Sequence, residues 1–341
     1  MSERRGVLSA GTFCVDFNKS IARWPEEDTS NEVLAIERQG GGSGFNMALD
    51  LKRLDPSFPV EAMGVVGDDD LGRFLAHECD AHRVDRAALM ALKSGATMSV
   101  DAFNVASNGR RTHFYHQGVA ATMTPENFDF SSTRAKILHL GLPGAHKAMD
   151  GPWRGDASGW VAVLRKARSA GLAANLELMT TLAERLTELG RPCLPYLDWL
   201  IVNDYEIGAL AGLATRRADG STDPAAVARA IDATLALGAM KWTAAHFPDG
   251  AVAGGRDGSR VALGSVAVPQ SAIVGANGAG DAFAAGMLYG LHEQWPILNC
   301  LELGHASAAA SMRAMSTTEG VATVGECLAL AKQWGFRPFS L

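Results

Sequence analysis

From residue 136 onward the chain alternates short apolar runs of strand length with longer segments of helical period. Runs near 136–141, 171–176, 198–202, 239–245 and 261–268 read as strands. Segments near 158–170, 180–189, 204–212, 223–237, 280–293, 298–313 and 325–334 carry apolar residues at helical spacing. Strands that alternate with helices pair in parallel and take helices on both faces. The expected fold class is therefore α/β, a three-layer αβα arrangement around a mostly parallel sheet.

The first third of the chain adds to this pattern. Residues 6–15 read as a buried strand closed by Asp16. Residues 17–39 are mixed and polar, with a short strand-like piece from Glu32 to Glu37. The glycine cluster Gly40-Gly41-Gly42-Ser43-Gly44 precedes a segment of helical period, Phe45 to Leu54. Pro59 to Val66 reads as another strand and Asp70 to His82 as a helix. Met98 to Val105 and Arg111 to Tyr115 flank a Ser107-Asn108-Gly109 turn, the pattern of an antiparallel hairpin. We expect one domain over residues 1–341, with segments of about 32–37 and 98–115 forming a small β lid.

Bulk properties exclude some functions. The formal net charge is −6 and the pI about 5.9, which argues against a generic nucleic-acid footprint. No run of about 18 apolar residues exists, so no membrane-spanning helix is expected. The start, Met1 to Gly6, has the charge of a signal peptide, but the apolar stretch behind it is broken by Thr12 and ends at Asp16. The five cysteines are scattered among apolar residues and none is at metal-ligand spacing. Buried free thiols and a cytoplasmic location are expected.

The chemistry concentrates at Gly278-Ala279-Gly280-Asp281, just before a helical segment. A carboxylate at a helix N-terminus complements the macrodipole and can cap free N–H groups. Glycines leave backbone N–H groups uncovered, which makes an anion site. The turn is not a Walker loop, since no Lys-Ser/Thr pair follows, and it lacks the third glycine of a dinucleotide fingerprint. It does match the needs of phosphoryl transfer, a base for the acceptor hydroxyl beside donors for the transferring group. Asn46, in the first turn behind the glycine cluster, is placed to hydrogen-bond a polyol. Asp16 stands at the end of the first expected strand, where open α/β sheets bind ligands.

Three segments in this order resemble the ribokinase-like (PfkB) family of sugar and nucleoside kinases. They are Gly41-Gly42-Ser43-Gly44-Phe45-Asn46-Met47-Ala48, Met63-Gly64-Val65-Val66-Gly67-Asp68-Asp69-Asp70-Leu71-Gly72 and Gly278-Ala279-Gly280-Asp281-Ala282-Phe283-Ala284-Ala285-Gly286. Asn203-Asp204-Tyr205-Glu206 is similar to the family's Asn-x-x-Glu motif. The resemblance implies an ATP-dependent, magnesium-requiring kinase. Asp281 would be the catalytic base, and the N–H groups of Gly278, Ala279 and Gly280 the anion hole. Asp16, Gly41, Gly42 and Asn46 would hold the sugar. Asn203 and Glu206 would organise magnesium largely through water, Thr243 would lie at the nucleotide phosphates and His305 near the adenine. The lid would cover the sugar and mediate contacts in a homodimer.

The chain departs from the family at three places. Gly275-Ala276 stands where Asp-Thr is usual, and the missing carboxylate implies weak or absent potassium activation. Thr243-Ala244-Ala245-His246 replaces Thr-x-Gly, and Asn175-Leu176-Glu177 replaces Asp-x-Asn. A neutral small-molecule sugar is the first expected acceptor and a nucleoside the second, with Phe103 or Tyr115 either stacking on a ring or serving as lid core. A catalytically weak binding protein on the same fold is the alternative from a different functional class.

Overall fold

The computed structural model describes residues 4–107 and 110–341. Among them lie thirteen strands. In chain order they are β1 (Val7–Gly11), β2 (Cys14–Ile21), β3 (Val33–Gly41), β4 (Val60–Gly67), β5 (Asp85–Leu92), β6 (Ser99–Val105), β7 (Arg111–His116), β8 (Ile137–Gly141), β9 (Ala173–Leu176), β10 (Trp199–Asn203), β11 (Trp242–Phe247), β12 (Gly250–Gly255) and β13 (Arg260–Gly264). The helices are α1 (Ser43–Leu54), α2 (Asp70–Ala81), α3 (Lys147–Asp150), α4 (Gly159–Ser169), α5 (Ala183–Gly190), α6 (Asp204–Ala211), α7 (Pro224–Leu237), α8 (Ala279–His292), α9 (Ile297–Ser311) and α10 (Val324–Trp334).

Nine strands form the large sheet, in the order β13-β12-β11-β10-β9-β8-β1-β4-β5. From β11 to β5 every pairing is parallel. Helices α1, α8, α9 and α10 cover one face with one apolar core, and α4 to α7 cover the other with a second. The αβα expectation holds, with one addition. Strands β12 and β13 pair antiparallel at the edge. Glycine-rich β12, Gly-Ala-Val-Ala-Gly-Gly, carries no alternation to betray it, and β5 was likewise not expected.

The long first strand is a correction. The chain leaves the large sheet at Gly11, whose φ of +109° suits glycine, and starts a new strand at Cys14. Asp16 therefore lies inside β2 rather than closing β1. Strand β2 joins a second, four-stranded sheet in the order β3-β2-β6-β7. This is the expected small sheet, with β2 as an additional central strand. Residues Gly40 and Gly41 end β3 instead of forming a free loop. Strands β6 and β7 pair antiparallel as expected; Asn108 and Gly109 of their turn lie outside the described residues.

The two sheets are tied at the Gly67–Gly72 segment. Asp69 caps α2 by accepting from Gly72 N at 2.8 Å. It also accepts from Thr97 N at 2.8 Å and Thr97 Oγ1 at 2.6 Å, just ahead of β6. These bonds hold the Asp69 carboxyl below its ordinary range despite some burial. All five cysteines are buried and free.

Candidate active site

Helix α8 carries the glycine turn into the molecule. Its N-terminal half is small and apolar, and that allows α9 to approach closely. A Cβ on Gly286 would lie 2.7 Å from Leu303 O, and one on Gly304 3.0 Å from the Phe283 ring. The helix start is fixed by Gly278, in the left-handed region at φ 72°. A side chain there would also meet Thr317 O at 2.2 Å. Gly278 has no side chain to cap the helix, which leaves its first N–H groups for a ligand.

Asp281 sits in that first turn. Its Oδ2 accepts from Asn46 Nδ2 at 2.8 Å, and Asn46 Oδ1 accepts from Thr317 Oγ1 at 3.2 Å. The N-terminal and C-terminal motifs, 235 residues apart in sequence, thus meet through one side chain. Burial and the neighbouring Glu177 carboxyl push Asp281 up to about 7. Asp16 belongs to the same locus, for burial and the Asp281 charge push it up to about 6, against a weak Cys14 Sγ contact of 3.4 Å. Gly41 packs directly beneath it, where a Cβ would fall 2.2 Å from Asp16 Oδ2. Gly42 abuts Thr12, with a Cβ reaching 2.6 Å from Thr12 O. Asp16, Gly41, Gly42, Asn46 and Asp281 are therefore brought together.

Two residues of this locus escaped the sequence reading. Asn18 lies 3.5 Å from Asn277 and is buried, and its Nδ2 has no partner among the described residues. The period of two in β2, which sets Asn18 on the face of Asp16, was the available signal. Thr317 had no local signal, since it reaches the site from a loop after α9. Register sets Val100 and Tyr115 on the Asp16 face and Phe103 on the other, where it packs with Trp24 and Phe114. Phe103 is thus small-sheet packing, not a stacking platform.

A cavity of about 440 Å³ opens on the other side of the glycine turn. Ala279, Gly280, Phe283, His246 and His305 line it, with Asn203 and Arg216 at one end. Phe283 lies between the two imidazoles, 4.9 Å from His246 and 5.0 Å from His305. Burial holds His246 down to about 4 and His305 to about 3, so both are neutral. His305 thus lines this cavity. Thr243 does not. It is fully buried in β11, three residues before the strand reaches the cavity at His246, and its Oγ1 has no partner among the described residues. A larger hollow of about 800 Å³ between α5 and α6 contains none of the glycine-turn residues or the carboxylates around Asp281.

Asn203 and Glu206 stand where β10 passes into α6. Glu206 Oε1 accepts from Thr180 Oγ1 at 2.6 Å and Oε2 from Asn203 N at 3.0 Å. Burial pushes its carboxyl up to about 7. Each oxygen retains a lone pair, which suits a hydrated magnesium ion approached through water. A divalent charge nearby would hold the group ionised.

The chain matches the pfkB family of carbohydrate kinases over residues 5–323. It is 25% identical to the 5-dehydro-2-deoxygluconokinase of Clostridium perfringens, over 93% of this chain and 90% of that protein. It is 28% identical to the ATP-dependent ribose-1-phosphate kinase of Halopiger xanaduensis, over 89% and 90% of the two chains. The fold is that of Arabidopsis thaliana ribokinase complexed with ribose and ATP, at a TM-score of 0.77 and 20% identity over 96% of this chain and 99% of that one. Thermotoga maritima ribokinase gives the same TM-score at 17% identity, over 96% and 99%. No helix among the described residues is long and apolar enough to cross a membrane. The chain belongs to the pfkB family of carbohydrate kinases, sugar kinases that transfer a phosphoryl group to an alcohol.

Proposed function

We propose that this kinase transfers the γ-phosphoryl group of ATP to a hydroxyl of a neutral sugar, with Asp281 as the base. The observation that carries this reading is the 2.8 Å hydrogen bond from Asn46 to Asp281. It sets the base against the polar wall made by Asp16, Asn18 and Asn46, and beside the free N–H groups that start α8. That wall is acidic and amide-lined, which suits a polyol better than a sugar acid or sugar phosphate.

The acceptor hydroxyl hydrogen-bonds Asp281, which takes its proton as the oxygen attacks the γ-phosphorus. The bond from that phosphorus to the bridging oxygen breaks and ADP leaves. Backbone N–H groups of Gly278, Ala279 and Gly280 meet the charge on the transferring group. Magnesium, held through water by Asn203 and Glu206, would neutralise the nucleotide phosphates. His305 and Phe283 make the apolar end of the nucleotide cavity. The small sheet acts as the lid. Leu34 and Ile36, 54% and 61% exposed on its edge strand, support pairing with a second copy of the chain.

The test is a coupled ADP-release screen with ATP and magnesium against neutral sugars, sugar acids, sugar phosphates and nucleosides. A neutral sugar is the expected strong acceptor, and Asp281→Asn should lower its turnover by about 10² to 10⁴. Preference for an anionic acceptor overturns the substrate class. Silence with every acceptor overturns the activity.

A further inference from the structure

Behind Asp281 stands a second carboxyl. Glu177 directly follows β9 and is anchored by its N–H to Leu140 O at 2.9 Å. Its side chain lies within hydrogen-bonding reach of Asp281. On its other side His139 Nε2 is 3.0 Å from Glu177 Oε2. His139 is fully buried in β8, and Asn175 Nδ2 lies 3.1 Å from its Nδ1. With Nδ1 accepting from the amide, the imidazole proton sits on Nε2 and faces the glutamate. The contact is off the line of a good hydrogen bond. Neither atom has another partner among the described residues, so a small rotation closes it.

The groups facing this carboxyl are Asp281 from α8, His139 from β8 and Glu206 from α6, with Asp50 of α1 a further charge in the same buried region. Among the described residues, the leading influences that raise both carboxyls are burial and a neighbouring carboxyl. Two carboxyls at hydrogen-bond distance in such surroundings cannot both ionise, and one proton is held between them. Asp281 is the partner at the helix mouth, and Glu177 the one fixed from behind.

We propose that Glu177 is a positioning residue for the base: protonated, it donates to Asp281 and fixes which carboxylate oxygen meets the acceptor hydroxyl, while His139 and Asn175 hold the glutamate. This rests on the kinase reading above. The acceptor's proton goes to Asp281, and Glu177 keeps its own throughout.

Two measurements test it. The first needs no substrate: carboxyl-labelled Asp and Glu are titrated by carbon NMR. In the wild type the Asp281 resonance should move in two coupled steps. In Glu177→Gln it should move in one step. Identical Asp281 titrations in both proteins overturn the proposal, even if no acceptor is ever found. The second is kinetic. Glu177→Ala should lower kcat by about tenfold or more with little change in the KM for ATP, as loss of orientation predicts. The isosteric Glu177→Gln, which keeps a neutral donor and should fold if the alanine variant does not, should recover most of that loss. In an Asp281→Asn background the Glu177 substitutions should change the residual rate little. Equal losses in Glu177→Gln and Glu177→Ala, or the same loss in both backgrounds, overturns the proposal.

Discussion

Asn203 and Glu206 cap each other across the first turn of α6. Asn203 Oδ1 accepts from Glu206 N at 2.8 Å, and Glu206 Oε2 accepts from Asn203 N at 3.0 Å. Thr180 adds its hydroxyl to Glu206 Oε1 at 2.6 Å and accepts from Asn203 Nδ2 at 3.0 Å. The capping geometry and the proposed metal-organising role would be one arrangement, because the cap is what aims the carboxylate. Glutamine completes a capping box as well as glutamate does. Glu206→Gln should keep the melting temperature near wild type. It should raise the magnesium concentration for half-maximal turnover by about 10- to 100-fold, the usual cost of losing an outer-sphere partner. A titration of turnover against magnesium decides it, and an unchanged midpoint refutes the role.

Thr243 makes the opposite case. Its hydroxyl is buried in β11 without a partner among the described residues. Removing such a group relieves a desolvation cost. Thr243→Val should leave stability unchanged or raise it by up to about 1 kcal/mol, with turnover unaffected. A marked fall in kcat would return the residue to the phosphates.

The contrast between these residues shows what the sequence carried. Asn203 and Glu206 are three apart and make one local motif, so their placement followed from spacing. Gly278 to Asp281 likewise form a single turn, and Asn46 sits in the first turn of α1, whereas Asp16, expected to close the first strand, lies inside β2. Thr243 was assigned to the phosphates by resemblance alone, and in a strand a shift of a few residues moves a side chain from the ligand to the core. Strand β12 was hidden because Gly250, Gly254 and Gly255 give no alternation. Asn18 and Thr317 reach the site only through the pairing of β2 and the packing of a loop, which are tertiary facts. The split of the first strand turned on Gly11, one glycine among 37.

The loop ahead of the glycine turn supports a prediction about salt. Gly275 N donates to Met312 O at 3.2 Å, and Ala276 lines the nucleotide cavity. Neither can supply the carboxylate that a monovalent cation would need beside the anion hole. Replacing sodium by potassium in an otherwise cation-free buffer should change neither turnover nor melting temperature. A severalfold activation, or a rise in melting temperature that signals binding, refutes it.

Asp69 should matter to both sheets. Its carboxylate accepts three hydrogen bonds, one from the start of α2 and two from Thr97 ahead of β6. Loss of a helix cap alone costs about 0.5–2 kcal/mol. Asp69→Ala should therefore lower stability by about 2 kcal/mol and raise the KM for the sugar more than that for ATP, because the small sheet loses its anchor. Its pKa is depressed in the fold, so this contribution is present above the ordinary carboxylate range and lost as the pH falls through the native value. The gap between wild type and variant should narrow in acid. Equal KM effects on both substrates would show that the anchor does not govern the lid.

The Glu177 and Asp281 pair should leave the opposite signature on stability. Burial holds them at about 8 and about 7, while the unfolded chain ionises its carboxyls near pH 4. Between these limits the folded state keeps protons that the unfolded state releases, so stability falls as the pH rises through the window. Glu177→Gln removes one such proton and relieves Asp281 of a like-charged neighbour. The variant should be more stable than the wild type above pH 8, by up to about 5 kcal/mol at about 1.4 kcal/mol per pKa unit. The difference should shrink towards zero below about pH 4, where both states hold the proton. Thermal melts across this range read it directly. A variant less stable at every pH would mean that the glutamate's hydrogen bonds outweigh the cost of burying its charge.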